Sequence, residues 1–112
     1  MADKYVSSFV ENGATAIVCA SDLIAHGVMR ELYRMGVRVP DDVSVIGFDD
    51  LPLASYTTPS LTTIRQNRLE IGRNVCLVME QILRGNCVSR LLLMPELVKR
   101  ESTGLPKGYE AT

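Results

Sequence analysis

The sequence predicts an α/β domain in which a parallel sheet is flanked by helices in three layers. Two observations carry this. Short apolar runs rich in β-branched residues alternate with longer stretches of helical periodicity, the pattern of strand–helix–strand units whose strands lie parallel. The run Val43-Ser44-Val45-Ile46-Gly47-Phe48 then stops on Asp49-Asp50, as a buried parallel strand does when it delivers polar groups to its carboxyl end. With 112 residues, 46% of them hydrophobic and 22% charged, the chain is long enough for one core and too apolar to be disordered.

The elements follow in order. Residues 3–12 read as a short helix, with Tyr5, Val6, Phe9 and Val10 on one face and Gly13 as its stop. Thr15-Ala16-Ile17-Val18-Cys19-Ala20 has the character of a central strand. Ser21 and Asp22 offer oxygens to cap the next helix, where Ile24, Val28, Leu32 and Met35 recur at helical spacing before Gly36. Pro40 with Asp41-Asp42 makes a turn into the strand that begins at Val43. Residues 51–58, between the proline signals Pro52 and Pro59, read as an irregular or single-turn segment. Leu61-Thr62-Thr63-Ile64 is the third strand.

A long helix is expected over 68–84, ended by Gly85-Asn86. Short extended pieces at 89–94 and 97–99 flank Pro95, and 101–112 is expected to be a polar tail behind a lobe spanning 1–100. The long helix carries two apolar edges: Ile71, Val75, Val78 and Ile82 on one, Leu69, Cys76, Met79 and Leu83 beside it. A helix lying on one face of a small sheet needs a single stripe. This one is expected to sit wedged in the core or to bury its second edge against another lobe or a second chain.

Composition excludes several classes of function. The net charge is −1, and Lys and Arg do not cluster, so this chain is not expected to neutralise the phosphates of duplex DNA. Three cysteines without CxxC spacing and a single histidine make a zinc site unexpected, and free thiols in a reducing compartment are the plain reading. No metal and no cofactor are expected. No apolar run approaches the thickness of a bilayer and the N-terminus lacks a signal-peptide pattern, so a soluble cytoplasmic protein with no membrane partner is expected.

Polar clusters follow each strand: Ser21-Asp22, Asp49-Asp50, and Gln66-Asn67 with Arg68. In open α/β sheets ligands sit outside the carboxyl ends of the strands, and a carboxylate there accepts two hydrogen bonds at once from a polyol or an N–H donor. A carboxylate closing a buried apolar run is costly unless something bonds it, which singles out Asp49. Ser21 or Asp22 must cap the helix, and Asp50 has the alternative of organising the turn.

Four stretches carry a resemblance. Thr15 to Gly27 resembles the pattern "P-x-A-(apolar)-x-x-x-(S/N/G)-D-x-x-A-x-G"; Gly36 to Asp49 resembles "G-x-x-(V/I)-P-x-D-(V/I)-S-(V/I)-(V/I)-G-(F/Y)-D"; Leu61-Thr62-Thr63-Ile64-Arg65-Gln66 matches "L-T-T-(I/V)-x-Q"; and Leu97-Val98-Lys99-Arg100-Glu101-Ser102-Thr103 is similar to "L-(V/I)-x-R-x-S/T-(T/S)". Together they resemble the C-terminal part of a lactose-repressor/galactose-repressor (LacI/GalR) transcription regulator. The resemblance implies a periplasmic-binding-protein-like lobe, incomplete relative to the family, that works with a helix-turn-helix headpiece and a first lobe not present in this sequence. It implies a small-molecule effector such as a sugar or nucleobase held between lobes, a dimer (swapped about Gln66-Asn67 in one version), and DNA reached only through the headpiece. It assigns effector contacts to Ser21, Asp49, Gln66 and Arg68, and Asp22 joins them from the polar cluster that follows the first strand. Arg68 departs from relatives with an aromatic residue there, which favours an anionic or strongly polar effector. In the family the surface of the helix beginning at Asp22 contributes to the dimer interface, which gives His26 an interface role to set against that of a solvated helix histidine.

Two other functions compete. A flavodoxin-like enzyme or phosphoacceptor would use Asp49 and Asp50, but its lysines Lys4, Lys99 and Lys107 lie toward the chain ends, and Asp41-Asp42 fall at the opposite end of the strand. The second is a sugar transport binding protein, which shares the fold. No nucleophile motif or P-loop is present, and no catalysis is expected.

Overall fold

The structure is a computed structural model that describes residues 2–110. Its elements are α1 (Ala2–Glu11), β1 (Ala16–Val18), α2 (Asp22–Arg34), β2 (Ser44–Phe48), a 3₁₀ turn (Pro52–Ser55), β3 (Thr62–Arg65), α3 (Arg68–Leu83) and β4 (Glu96–Val98). The single turn expected between the prolines is the 3₁₀ turn. Of the two extended pieces expected after the long helix, only the second is a strand.

The chain divides into two compact units, Met1–Arg65 with Leu97–Thr112, and Gln66–Glu96. The four strands lie in the order β1-β2-β3-β4. β1 pairs parallel with β2, Ile17 opposite Val45, and β2 pairs parallel with β3, Gly47 opposite Thr63.

In the first unit, Val6 of α1, Ala25, Val28 and Leu32 of α2, Ile17 and Cys19 of the first strand region, Val43 and Val45 of the second, Ala54 and Leu61 form one buried cluster. Amphipathic spacing puts the α2 residues on one stripe, and strand alternation puts Ile17 and Cys19 on the same side. α2 ends on Gly36, whose φ of +74° lets its N–H reach Tyr33 O (3.1 Å) while the Val37 N–H reaches Leu32 O (2.9 Å). The first strand was expected to be central. It lies at one end of this sheet, and Ala16 and Val18 are exposed, Val18 by 76%. An apolar run signals cover on both faces, and among the described residues only the Ile17–Cys19 side receives it.

Residues after β4 are bonded into the sheet. The Ser102 hydroxyl donates to Val45 O (2.6 Å) and accepts the Thr62 N–H (2.8 Å), while Ser102 O accepts the Val45 N–H (2.9 Å). Ser102 is fully buried, a polar side chain used to stitch β2 to the start of β3. In the second unit, α3 is capped by Asn67, whose Oδ1 accepts the Glu70 N–H at 3.0 Å. None of its side chains is fully buried, and Ile71, Val75, Val78, Met79 and Ile82 with Leu91 and Leu93 line a groove of about 310 Å³. Cys19 is buried, which pushes its thiol up, and Cys76 and Cys87 are exposed and free. No helix among the described residues is long and apolar enough to cross a membrane.

Candidate functional site

Because β1, β2 and β3 run parallel, the chain leaves all three at one edge of the sheet. Backbone bonds extend the ladder to that edge: the Cys19 N–H donates to Ile46 O (2.8 Å) and the Asp49 N–H to Ile64 O (2.9 Å). Ser21 follows β1 and Asp49 follows β2, so both lie on this carboxyl rim. Ser21 is the N-cap of α2, and its Oγ accepts the Ile24 N–H at 3.2 Å. That satisfies one of the donors a helix start leaves open.

Asp22, read from sequence as an effector contact, turns inward and has no exposed surface. Its Oδ1 accepts the Thr63 hydroxyl at 2.6 Å and its Oδ2 the Leu51 N–H at 2.7 Å, so a buried carboxylate has a donor on each oxygen. The opposing backbone is Gly47, where a Cβ would lie 2.3 Å from Asp22 Oδ1 and 2.9 Å from a Leu61 methyl. Glycine is required there because α2 starts directly over β2.

The next turn carries the backbone strain of the site. Asp49 has φ +105° and Asp50 φ +53°, two successive non-glycine residues on the left-handed side. Asp50 sits where Asp is tolerated. Asp49 lies further out, in territory that costs on the order of 1–3 kcal/mol and persists only where surrounding structure imposes it. Asp49 is half-buried and the Asp50 side chain is largely buried.

Asp50 is clamped. Its Oδ2 accepts Arg65 Nε at 2.6 Å and its Oδ1 accepts Arg100 Nη2 at 2.7 Å, while Arg100 Nη1 donates to Leu61 O at 2.9 Å. Burial pushes the Asp50 carboxyl up, but the hydrogen bonds and charges of Arg100 and Arg65 outweigh it and hold it below the ordinary carboxylate range. Glu101, whose carboxylate accepts the Ser60 N–H at 3.0 Å, is lowered as well. A carboxyl whose folded pKa is depressed stabilises the fold above its unfolded pKa and loses that contribution as pH falls through the folded value. Stability should therefore decline below about pH 4. Urea midpoints at pH 7 and pH 3 check this, and Asp50→Asn should narrow the difference between them; an equal difference in the variant would discharge Asp50 from the effect.

The acidic pairs that would serve an enzyme are separated by the length of β2, and one member of each is held in ion pairs. Asp42 pairs with Arg38 (3.1 Å) and Lys107 (2.9 Å), as Asp50 does with Arg65 and Arg100. Among the described residues no three His, Cys, Asp or Glu side chains gather so as to hold a metal ion. Gln66 and Arg68 belong to the second unit, on either side of the cap residue Asn67; Gln66 is half-buried and Arg68 exposed. Sequence reading passed over Thr63, Arg100 and Ser102 as functional residues. Their signal was present in the "T-T" and "R-x-S" stretches, but nothing local says that they bond across the fold.

The model of the family described as a periplasmic binding protein-like domain matches residues 2–103. The chain belongs to that family. Its relatives are LacI-type transcription regulators. It is 40% identical over 104 residues to the HTH-type transcriptional regulator MalR of Streptomyces coelicolor, covering 91% of this chain and 30% of MalR. It resembles the lac repressor dimer bound to operator and the anti-inducer ONPF, with a TM-score of 0.81 at 34% identity over 91% of this chain and 37% of that one. A LacI family regulator from Arthrobacter sp. FB24 in complex with lactose has a TM-score of 0.78 at 34% identity, covering 92% and 40%. This periplasmic-binding-protein-like domain thus spans about a third of the length of the regulators it matches.

Proposed function

We propose that this domain is the effector-sensing part of a cytoplasmic transcription regulator without catalytic activity. It recognises a small polar molecule, such as a sugar or a nucleobase-like compound, through the carboxyl rim carrying Ser21 and Asp49. It self-associates as a dimer and reaches DNA only through a helix-turn-helix segment of its regulator. The observation that carries the reading is Asp49 itself. A turn of unfavourable φ is held at the rim by its neighbours: the Leu51 N–H is bonded to Asp22, and Asp50 to Arg65 and Arg100. Strain of this kind collects at binding sites. The two neighbouring structures, one with an anti-inducer and one with lactose, support a small-molecule effector. For Gln66 and Arg68 an effector contact rests on the sequence resemblance alone.

Titration of the ¹⁵N-labelled chain with a panel of mono- and disaccharides and nucleosides tests this. One class should move the amide signals following β1 and β2. Rim shifts produced by Mg²⁺ alone would overturn the reading in favour of a phosphoacceptor. Asp49→Asn should weaken binding about 10- to 150-fold, the worth of one hydrogen bond to a charged group. Asp49→Gly should lose binding while the turn is kept, because glycine takes a positive φ without a Cβ penalty. Undiminished affinity in both variants would remove Asp49 from the site.

A further inference from the structure

We propose that Asp22 is a positioning residue: through Thr63 and the Leu51 N–H it fixes the Asp49-Asp50 turn in its left-handed geometry, and it does not itself touch the effector. This deepens the reading above and rests on it only for the effect on effector affinity.

Three segments far apart in sequence meet on this one side chain. α2 supplies the carboxylate, β3 the Thr63 hydroxyl at 2.6 Å, and the residue just past the turn the Leu51 N–H at 2.7 Å. Asp22 and Thr63 are both fully buried, so the bond between them does not compete with water, and the bond to the Leu51 N–H is partly buried. Thr63 continues the chain of bonds, its Oγ1 lying 3.4 Å from the Asp50 N–H, and the same register places Thr63 beside Gly47 in β2. The turn is therefore tied at Asp50, its second positive-φ residue, through Thr63, and at Leu51, the residue that follows, through Asp22. A carboxylate is the side chain suited to this work, because it accepts on both oxygens and donates on neither. Its two donors are fixed by the strand and by the turn. Release of either leaves a buried oxygen unsatisfied and frees the turn to relax toward ordinary backbone angles.

The test compares Thr63→Val with Thr63→Ser in the full chain. It follows amide hydrogen exchange at Leu51 against Val45, a core amide held by Ser102 O. In Thr63→Val the Asp22 carboxylate loses its Thr63 tether, so the Leu51 amide that bonds its other oxygen should exchange about tenfold faster relative to Val45, and the Asp49 and Asp50 signals should shift. Thr63→Ser keeps the hydroxyl and should restore both. Equal acceleration of Leu51 and Val45, or failure of serine to restore the pattern, would reduce Asp22 to general stability and overturn the proposal. Should the valine variant not fold, the unaltered chain still decides: a through-hydrogen-bond coupling between the Leu51 amide nitrogen and the Asp22 carboxyl carbon is expected, and its absence overturns the assignment. A saccharide that binds the unaltered chain should bind Thr63→Val about tenfold more weakly and Thr63→Ser normally. If no panel member binds, the proposed function fails while exchange and coupling still judge the positioning role.

Discussion

Gly47→Ala should destabilise the domain by about 3 kcal/mol, the upper end of what overpacking a closely packed interior costs. The added methyl would stand 2.3 Å from Asp22 Oδ1, 2.9 Å from the Leu61 side chain and 3.2 Å from the Asp22 Cα. None of these has room to retreat. The carboxylate is held by Thr63 and Leu51, Leu61 has no exposed surface, and the Cα belongs to the first residue of α2. Relief requires α2 to rise from β2 or Asp22 to swing away, and either breaks a buried hydrogen bond to a charged group. Urea unfolding followed by far-UV circular dichroism measures the change. A loss under about 1 kcal/mol would mean that the helix start is looser than the geometry requires.

Ser102→Ala should be comparably severe, at about 3 kcal/mol, although it removes one oxygen atom. The hydroxyl serves two buried backbone groups, the Val45 carbonyl and the Thr62 N–H, which belong to different strands. Each left without a partner costs about 1–3 kcal/mol, and water does not reach either. The backbone bonds of Ser102 to Val45 and to Ser60 remain, which keeps the segment in place and prevents relaxation that would let the orphaned groups find other partners. The urea midpoint should fall with the slope unchanged, and Ser102→Thr should recover part of the loss. A midpoint within error of the unaltered chain would show that both backbone groups are satisfied in another way.

The class of fold, the sequence of elements and the clustering of polar residues after the strands are all readable from local pattern. Strand alternation and helical spacing are short-range properties, as are the caps: Ser21 and Asn67 cap because Ser and Asn oxygens reach the N–H three residues on. The order of the rim follows once the strands are taken as parallel neighbours. The resemblance reached the family through four stretches, and the match over residues 2–103 bears it out. Where local pattern misled, the cause was cover. The β1 run reads as central because nothing in an apolar run says which face this chain will leave bare, and Val18 is left exposed.

Ser21-Asp22 and Asp49-Asp50 look alike on the page, two polar pairs at the ends of two strands. Their residues take different roles for a reason no window of sequence contains. Asp22 goes inward because Leu51 and Thr63 bring donors to it from distant parts of the chain and Gly47 leaves it space. Asp50 is engaged because Arg65 and Arg100 converge on it from β3 and from beyond β4. Local chemistry states which residues can accept hydrogen bonds; only the folded arrangement, by bringing remote donors within about 3 Å, settles which acceptors are already occupied.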